Sequence, residues 1–166
     1  MLMLRSEFGG SAEFEYRSNI CGLRIAWNAV ENTAMQPVRR ATIQEIDALL
    51  NGVGVADLVV AQVPADIKDR LSAKSDDVLL SRSTAGKQSR HPEITAQSFS
   101  WLQSMLDSGE RLYDKERHAT VIHHREKPYL AVLKATAFGD KVYLLSFRRT
   151  DEKNISSLRK KSAGGG

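Results

Sequence analysis

With 166 residues, the chain has the length of one ordinary domain, or of a domain with a modest extension. Apolar residues at 42% and charged residues at 27% permit a real core and argue against a disordered chain. A net charge of +4 and a pI near 9.3 suit a polyanionic partner without requiring one. A single cysteine, Cys21, rules out an intramolecular disulfide and a thiolate metal site. The opening MLMLRSEF is too short an apolar run for a signal peptide, and no window approaches the roughly 20 apolar residues of a membrane span. The expectation is a protein of a reducing compartment that meets no membrane.

Taken in chain order, residues 1 to about 18 are rich in Gly, Ser and Glu and read as poorly ordered. The next stretch, to about Ala34, alternates weakly and suits either a strand or a short helix. TIQEIDALLN (42–51) is a short helix. Thr42 can cap it, Glu45 stands at the capping-box position, and Ile43, Ile46, Leu49 and Leu50 form its stripe. ADLVVAQV (56–63) reads as a buried strand stopped by Pro64, which suits the first turn of the short helix that follows. DDVLLS (76–81) reads as a second short strand. SRSTAGKQSRHPEI (81–94) then reads as a loop, yet it carries Arg82, Lys87, Arg90 and His91 within ten residues. Beyond Pro92, Thr95 can cap a helix whose Phe99, Leu102, Met105 and Leu106 line one side before Gly109. From there the period changes from 3.6 to 2. ERLYDKE, ATVIHHRE, KPYLAVLKATAFG and KVYLLSFRRT are four strand-like segments, and Asp151–Lys161 closes the chain as a basic helix.

This order predicts an α+β fold: helices packed on one face of a four-stranded antiparallel sheet, with a less regular N-terminal extension. The corresponding division is 1–55 (extension with one short helix), 56–161 (α+β domain) and 162–166 (flexible tail).

The last two strands test register, because a one-residue slip exchanges faces. A two-residue loop at Gly139-Asp140 sets Lys134 opposite Leu145. A three-residue loop, Gly139 to Lys141, sets Lys134 opposite Ser146 and Val132 opposite Arg148. Composition favours the second. It gathers Tyr129, Leu133, Tyr143, Leu145 and Phe147 on the packing face, and leaves Lys134, Thr136, Ser146 and Arg148 with Leu130, Val132 and Leu144 on the other. Such cations are either solvated on the wet face of an antiparallel sheet or part of an anion site.

Together these motifs resemble the phage-associated nuclease-like domains of the barnase, EndoU, colicin and RelE group, which accompany phage head-morphogenesis proteins. The motifs are a short strand, S-x-S-T-x-x-K-x-x-R-H-P-E-I, an amphipathic helix, LKAT, a turn and YLLSFRR, and the likeness covers roughly Asp57 to Lys161. It implies a four-stranded sheet whose open face cleaves RNA without metal or other cofactor. The matching positions are Lys87, His91, Lys134, Thr136, Ser146 and Arg148. On this expectation His91, Lys134, Ser146 and Arg148 are catalytic, and Lys87, Thr136 and Arg90 bind substrate. A base takes the proton of an RNA 2′-hydroxyl, cations hold the developing charge, and an acid protonates the leaving oxygen. Histidine suits either proton role because its unperturbed pKa is near 6.5. Partners would be RNA, tRNA included, together with phage head proteins or a cognate inhibitor, in the cytoplasm of a bacterial host or on the virion. A non-catalytic phage structural or nucleic-acid-binding protein of the same fold is the alternative.

Other residues are read more plainly. A histidine before proline is held extended and can simply cap a helix, which is the structural reading of His91. His123 and His124 are successive strand residues and point apart, so no metal is expected from them. His118 is placed at the rim of the site. Arg117, Arg125 and Arg149 are taken as solvated. NGVGVAD lacks the third glycine of a dinucleotide fingerprint.

Overall fold

The first helix begins where Thr42 and Glu45 satisfy each other's backbone. Thr42 Oγ1 accepts from Glu45 N at 3.2 Å, and Glu45 Oε2 accepts from Thr42 N at 2.7 Å. Arg39 forks onto the same carboxylate at 2.7 and 3.1 Å. This helix, α1 (Ile43–Leu50), buries Ile46 and Leu49. The computed structural model describes residues 39–54, 56–88, 90–114 and 118–163. The expected N-terminal elements before residue 39 and the last residues of the tail, 164–166, lie outside the described residues.

Six strands follow: β1 (Leu58–Gln62), β2 (Asp77–Leu80), β3 (Glu110–Tyr113), β4 (His118–His123), β5 (Tyr129–Ala135) and β6 (Val142–Arg149). They form one sheet in the order β1-β2-β6-β5-β4-β3. β3 to β6 are the antiparallel meander that the period-2 segments predict. The expected four-stranded antiparallel sheet is nevertheless corrected to a six-stranded mixed one. The β1–β2 hairpin joins β6 through a parallel pairing, Val78 opposite Val142 and Leu79 opposite Tyr143. A parallel pairing between strands distant in sequence has no local signature.

The helices α2 (Ala65–Leu71), α3 (Arg82–Gln88) and α4 (Leu102–Ser108) join α1 on one face of this sheet. The 3-10 turn Ala96–Trp101 leads into α4, so the helix expected after Thr95 starts with tighter winding. Ile46, Leu49, Ile67, Leu71, Ala85 and Phe99 meet Val78, Val121, Leu133, Leu144 and Phe147 in one core. Phe147 is fully buried, edge-on to Phe99 at 5.3 Å and to Trp101 at 5.2 Å. Burying a ring of this size stabilises by about 1.5–3 kcal/mol.

Two expectations are corrected on the helices. First, Arg82–Gln88 in the segment after Ser81 is a helix and not a loop. Ser81 Oγ accepts from Thr84 N at 3.2 Å and so caps α3, whose Thr84, Ala85 and Gln88 are buried. Gln88 Nε2 also donates to the Phe147 carbonyl, tying α3 to β6. Second, helices do not keep to one face. The C-terminal helix α5 (Glu152–Ala163) lies on the opposite one, where its fully buried Ile155, with Leu158, packs on Ile122, Leu130, Leu112 and Val132. α5 includes Ser162 and Ala163, and Ser162 Oγ donates to the Tyr113 carbonyl at 3.0 Å.

The β5–β6 hairpin adopts neither loop considered from sequence. Its strands pair as Ala135 with Val142 and Lys134 with Tyr143, then shift phase, so that Val132 faces Ser146 and Leu130 faces Arg148. The shift leaves Leu145 as an extra residue, 39% exposed. Leu144 is therefore core, and Tyr143 is on the face with Lys134, the reverse of expectation for both. The turn is closed by Thr136 N to Lys141 O and Gly139 N to Thr136 O, each 2.9 Å.

Gly139 holds φ +71° in this turn, and a Cβ there would lie against the Ser72 carbonyl oxygen. Gly139→Ala is expected to lower stability by about 1–3 kcal/mol in urea unfolding. In Gly86→Ala, the new Cβ meets nothing within 4 Å in helical α3. That change is expected to be neutral or stabilising by up to about 1 kcal/mol.

Candidate active site

On the face away from α1–α4, the paired strands set side chains in rows. One row runs His118, Lys134, Tyr143 across β4, β5 and β6. The next runs Thr120, Val132, Ser146, and the third Ile122, Leu130, Arg148. α5 covers the apolar members of the second and third rows, and Lys134 stays exposed. Lys134, Ser146 and Arg148 thus share a face, as the hairpin argument expected, though by a bulge and not by the three-residue loop. Among the described residues, none of the three makes a side-chain hydrogen bond or ion pair.

Sequence reasoning put His118 only at the rim, yet it is the direct cross-strand neighbour of Lys134. Its ring is 16% exposed, and Nδ1 lies 2.8 and 3.1 Å from the two Asp114 carboxylate oxygens. Asp114 also accepts from the His118 backbone N at 2.9 Å. A carboxylate only accepts, so this contact places a proton on Nδ1 and orients the ring. The signal was present as an Asp and a His four residues apart at the mouth of the β3–β4 turn, but a turn must close to bring them together. Beyond Lys134 in the row, Tyr143 Oη donates to Asp57 at 3.1 Å. Burial first, and then the Asp57 carboxylate, raises the Tyr143 phenol above its ordinary value, so it stays protonated at neutral pH.

The remaining expected site residues lie elsewhere. His91 lines a recess with Asp47 and Asn51 of the α1 region and Thr95 and Ala96 beside the 3-10 turn, on the helix-bearing side of the sheet. Its Nδ1 is 3.6 Å from Glu93. Lys87 and Arg90 are exposed on or just after α3 in the same layer. The structure therefore does not bring His91, Lys87 or Arg90 together with Lys134, because α3 is anchored to the core by Thr84, Ala85 and Gln88 and cannot fold over the other face. Thr136 stands in the turn, its hydroxyl donating to Asp140 and accepting from Lys141 N at 3.2 Å. The first of these bonds holds the Asp140 carboxyl below its ordinary range.

His123 and His124 do diverge. His123 faces Trp101, while His124 Nε2 is 3.0 Å from Glu110, which also takes two bonds from Arg159 of α5 at 2.7 and 2.6 Å. Among the described residues, no group of three or more His, Cys, Asp or Glu side chains is placed to hold a metal ion. Nor is any helix among them long and apolar enough to cross a membrane. Comparison with protein-family models, with curated proteins and with solved structures finds no match to this chain.

The Glu110 cluster latches α5 across the sheet and gives a pH signature. Hydrogen bonds from Arg159, then His124, hold the Glu110 carboxyl at about 2, against an ordinary 4.5. A folded value below the unfolded one contributes stability that is complete above about pH 4.5 and lost as pH falls toward 2. The carboxylate is 31% exposed, so solvent screening reduces the effect to about 1 kcal/mol. Urea unfolding of the wild type and Glu110→Gln is expected to differ by that amount at pH 7, and the gap is expected to close by about pH 2.

Proposed function

We propose that the open sheet face binds the RNA backbone and cleaves it by attack of a 2′-hydroxyl on the neighbouring phosphorus, with no cofactor. This is the activity that the barnase, EndoU, colicin and RelE resemblance implies, with the histidine role carried by His118 instead of His91. The observation that carries the reading is the row His118, Lys134, Tyr143, with Asp114 on the far side of the imidazole.

Adjacent strands lie about 4.8 Å apart, so the strands bearing His118 and Tyr143 are about 10 Å apart with Lys134 between them. With a histidine on one side of the cation and a phenol on the other, the row has the order that an in-line displacement needs, entering and leaving oxygens on opposite sides of one phosphorus. His118 takes the 2′-hydroxyl proton as the 2′-O–P bond forms, and Asp114 balances the imidazolium. Lys134 neutralises the extra charge on the equatorial oxygens. As the P–O5′ bond breaks, the Tyr143 hydroxyl turns from Asp57 and gives its proton to the leaving oxygen. The products are a 2′,3′-cyclic phosphate and a 5′-hydroxyl, and proton exchange with solvent restores both groups. Arg148 and Ser146, farther along the same face, suit the adjoining phosphate, since Arg forks onto phosphate oxygens.

The test is a labelled single-stranded RNA incubated with the protein in EDTA. Cleavage to a cyclic phosphate is expected, blocked by a single 2′-deoxy substitution at the cut. Lys134→Ala is expected to lower the rate by about a hundredfold or more, and Tyr143→Phe by about ten- to a hundredfold, while Leu145→Ala on the bulge edge changes it little. RNA bound without any product would favour the non-catalytic reading.

A further inference from the structure

A second surface at the opposite ends of the same strands has a different composition. Arg125, Glu126, Lys127, Tyr129 and Arg149 line a recess of about 660 Å³ at the β4–β5 turn. Tyr129 and Arg149 are paired residues on the helix-bearing face, not on the face of Lys134 and Arg148. The sequence suggests solvated side chains for Arg125 and Arg149, but both are held against rings. The Arg125 guanidinium carbon is 5.2 Å from the Trp101 ring centroid, and its Nε donates to His123 Nε2 at 3.1 Å. The Arg149 guanidinium carbon is 5.4 Å from the Tyr129 centroid, and its Nε donates to Tyr129 Oη at 2.8 Å. Trp101 and Tyr129 lock edge to face at 4.7 Å. His123 accepts from Arg125, and burial, aided by Arg125 and His124, lowers its pKa.

Two features follow from this arrangement. Each guanidinium is fixed through Nε, and among the described residues its two terminal nitrogens make no hydrogen bond, so the fork that matches a phosphate is oriented and unsatisfied. The ring and guanidinium planes beside it offer stacking surface to any base. Three cations against the single carboxylate of Glu126 leave the recess positive. We infer that this recess binds a nucleotide unit of single-stranded nucleic acid, its phosphate on Arg125 and Arg149 and its base stacked on the Arg–aromatic layers. The inference stands apart from the cleavage proposal, since it uses neither His118 nor Lys134 and needs no chemistry.

The test is fluorescence anisotropy with a labelled 12-nucleotide 2′-O-methyl RNA, which cannot be cleaved through a 2′-hydroxyl. Any binding at the open face is common to the wild type and the arginine variants, so the difference between them reports on this recess whether or not the open face is active. Arg125→Ala/Arg149→Ala is expected to weaken binding by about tenfold or more, and to lower the slope of log K against log salt by about 0.7, the value for one phosphate contact on a single strand. Arg125→Lys/Arg149→Lys, which keeps the charge and loses the stacked fork, is expected to fall between the two, and also provides a folded comparison should the alanine pair unfold. Unchanged affinity in either folded double variant would overturn the inference. So would an equal loss on a duplex of the same length, because a duplex hides its base faces and only diffuse charge would then be at work.

Discussion

Much of this molecule depends on how β6 pairs with β5. The strand begins in one register, inserts Leu145, and continues in another, so that Val142, Leu144 and Phe147 all reach the core while Tyr143, Ser146 and Arg148 all reach the opposite face. Without the extra residue, the register of Lys134 and Tyr143 would carry Ser146 and Arg148 into the helix layer and Phe147 out of it. Phe147 is where Phe99 and Trp101 converge and where Gln88 of α3 docks, so the bulge governs the packed side as well as the polar side. One inserted residue thus reconciles a core with a cationic face on the same eight-residue strand.

The two faces are used differently. α1 to α4 cover one of them almost entirely, whereas α5 covers the other only over the apolar patch of Ile122, Leu130 and Val132. α5 owes its place to Ile155 and Leu158, three residues apart in an otherwise mostly polar helix, and to the Glu110–Arg159 ion pair one residue on. Beyond that patch His118, Lys134 and Tyr143 line up, Lys134 exposed and the other two half-buried. At the other ends of the strands, Trp101 and Tyr129 lie at the edge of the core and hold two arginines against their rings.

The parts legible in the sequence were those set by local chemistry. The Thr42–Glu45 capping box, the Pro64 stop and the meander of β3 to β6 could be read from spacing and turn residues, whereas the shared face of Lys134, Ser146 and Arg148 was expected from a loop that does not form and arises from the bulge. The illegible parts depended on distant residues. The parallel contact of β2 with β6 joins segments more than sixty positions apart. Leu145 resembles any other strand leucine until both halves of β6 are paired. In SRSTAGKQSRHPEI, the glycine and serines outweighed a cap at Ser81 and the stripe of Thr84, Ala85 and Gln88, so the stretch read as a loop able to reach the sheet. Once it is a helix docked on Phe147, His91 belongs to the other side, and the histidine beside Lys134 is His118.

The central claim is that His118, and not His91, serves the open face. It is tested most directly by comparing His118→Ala with His91→Ala in initial rates of RNA cleavage at equal folded concentration. A loss of about a hundredfold or more is expected for His118→Ala, with His91→Ala near the wild-type rate. The reverse pattern, His91→Ala inactive and His118→Ala unimpaired, would contradict it.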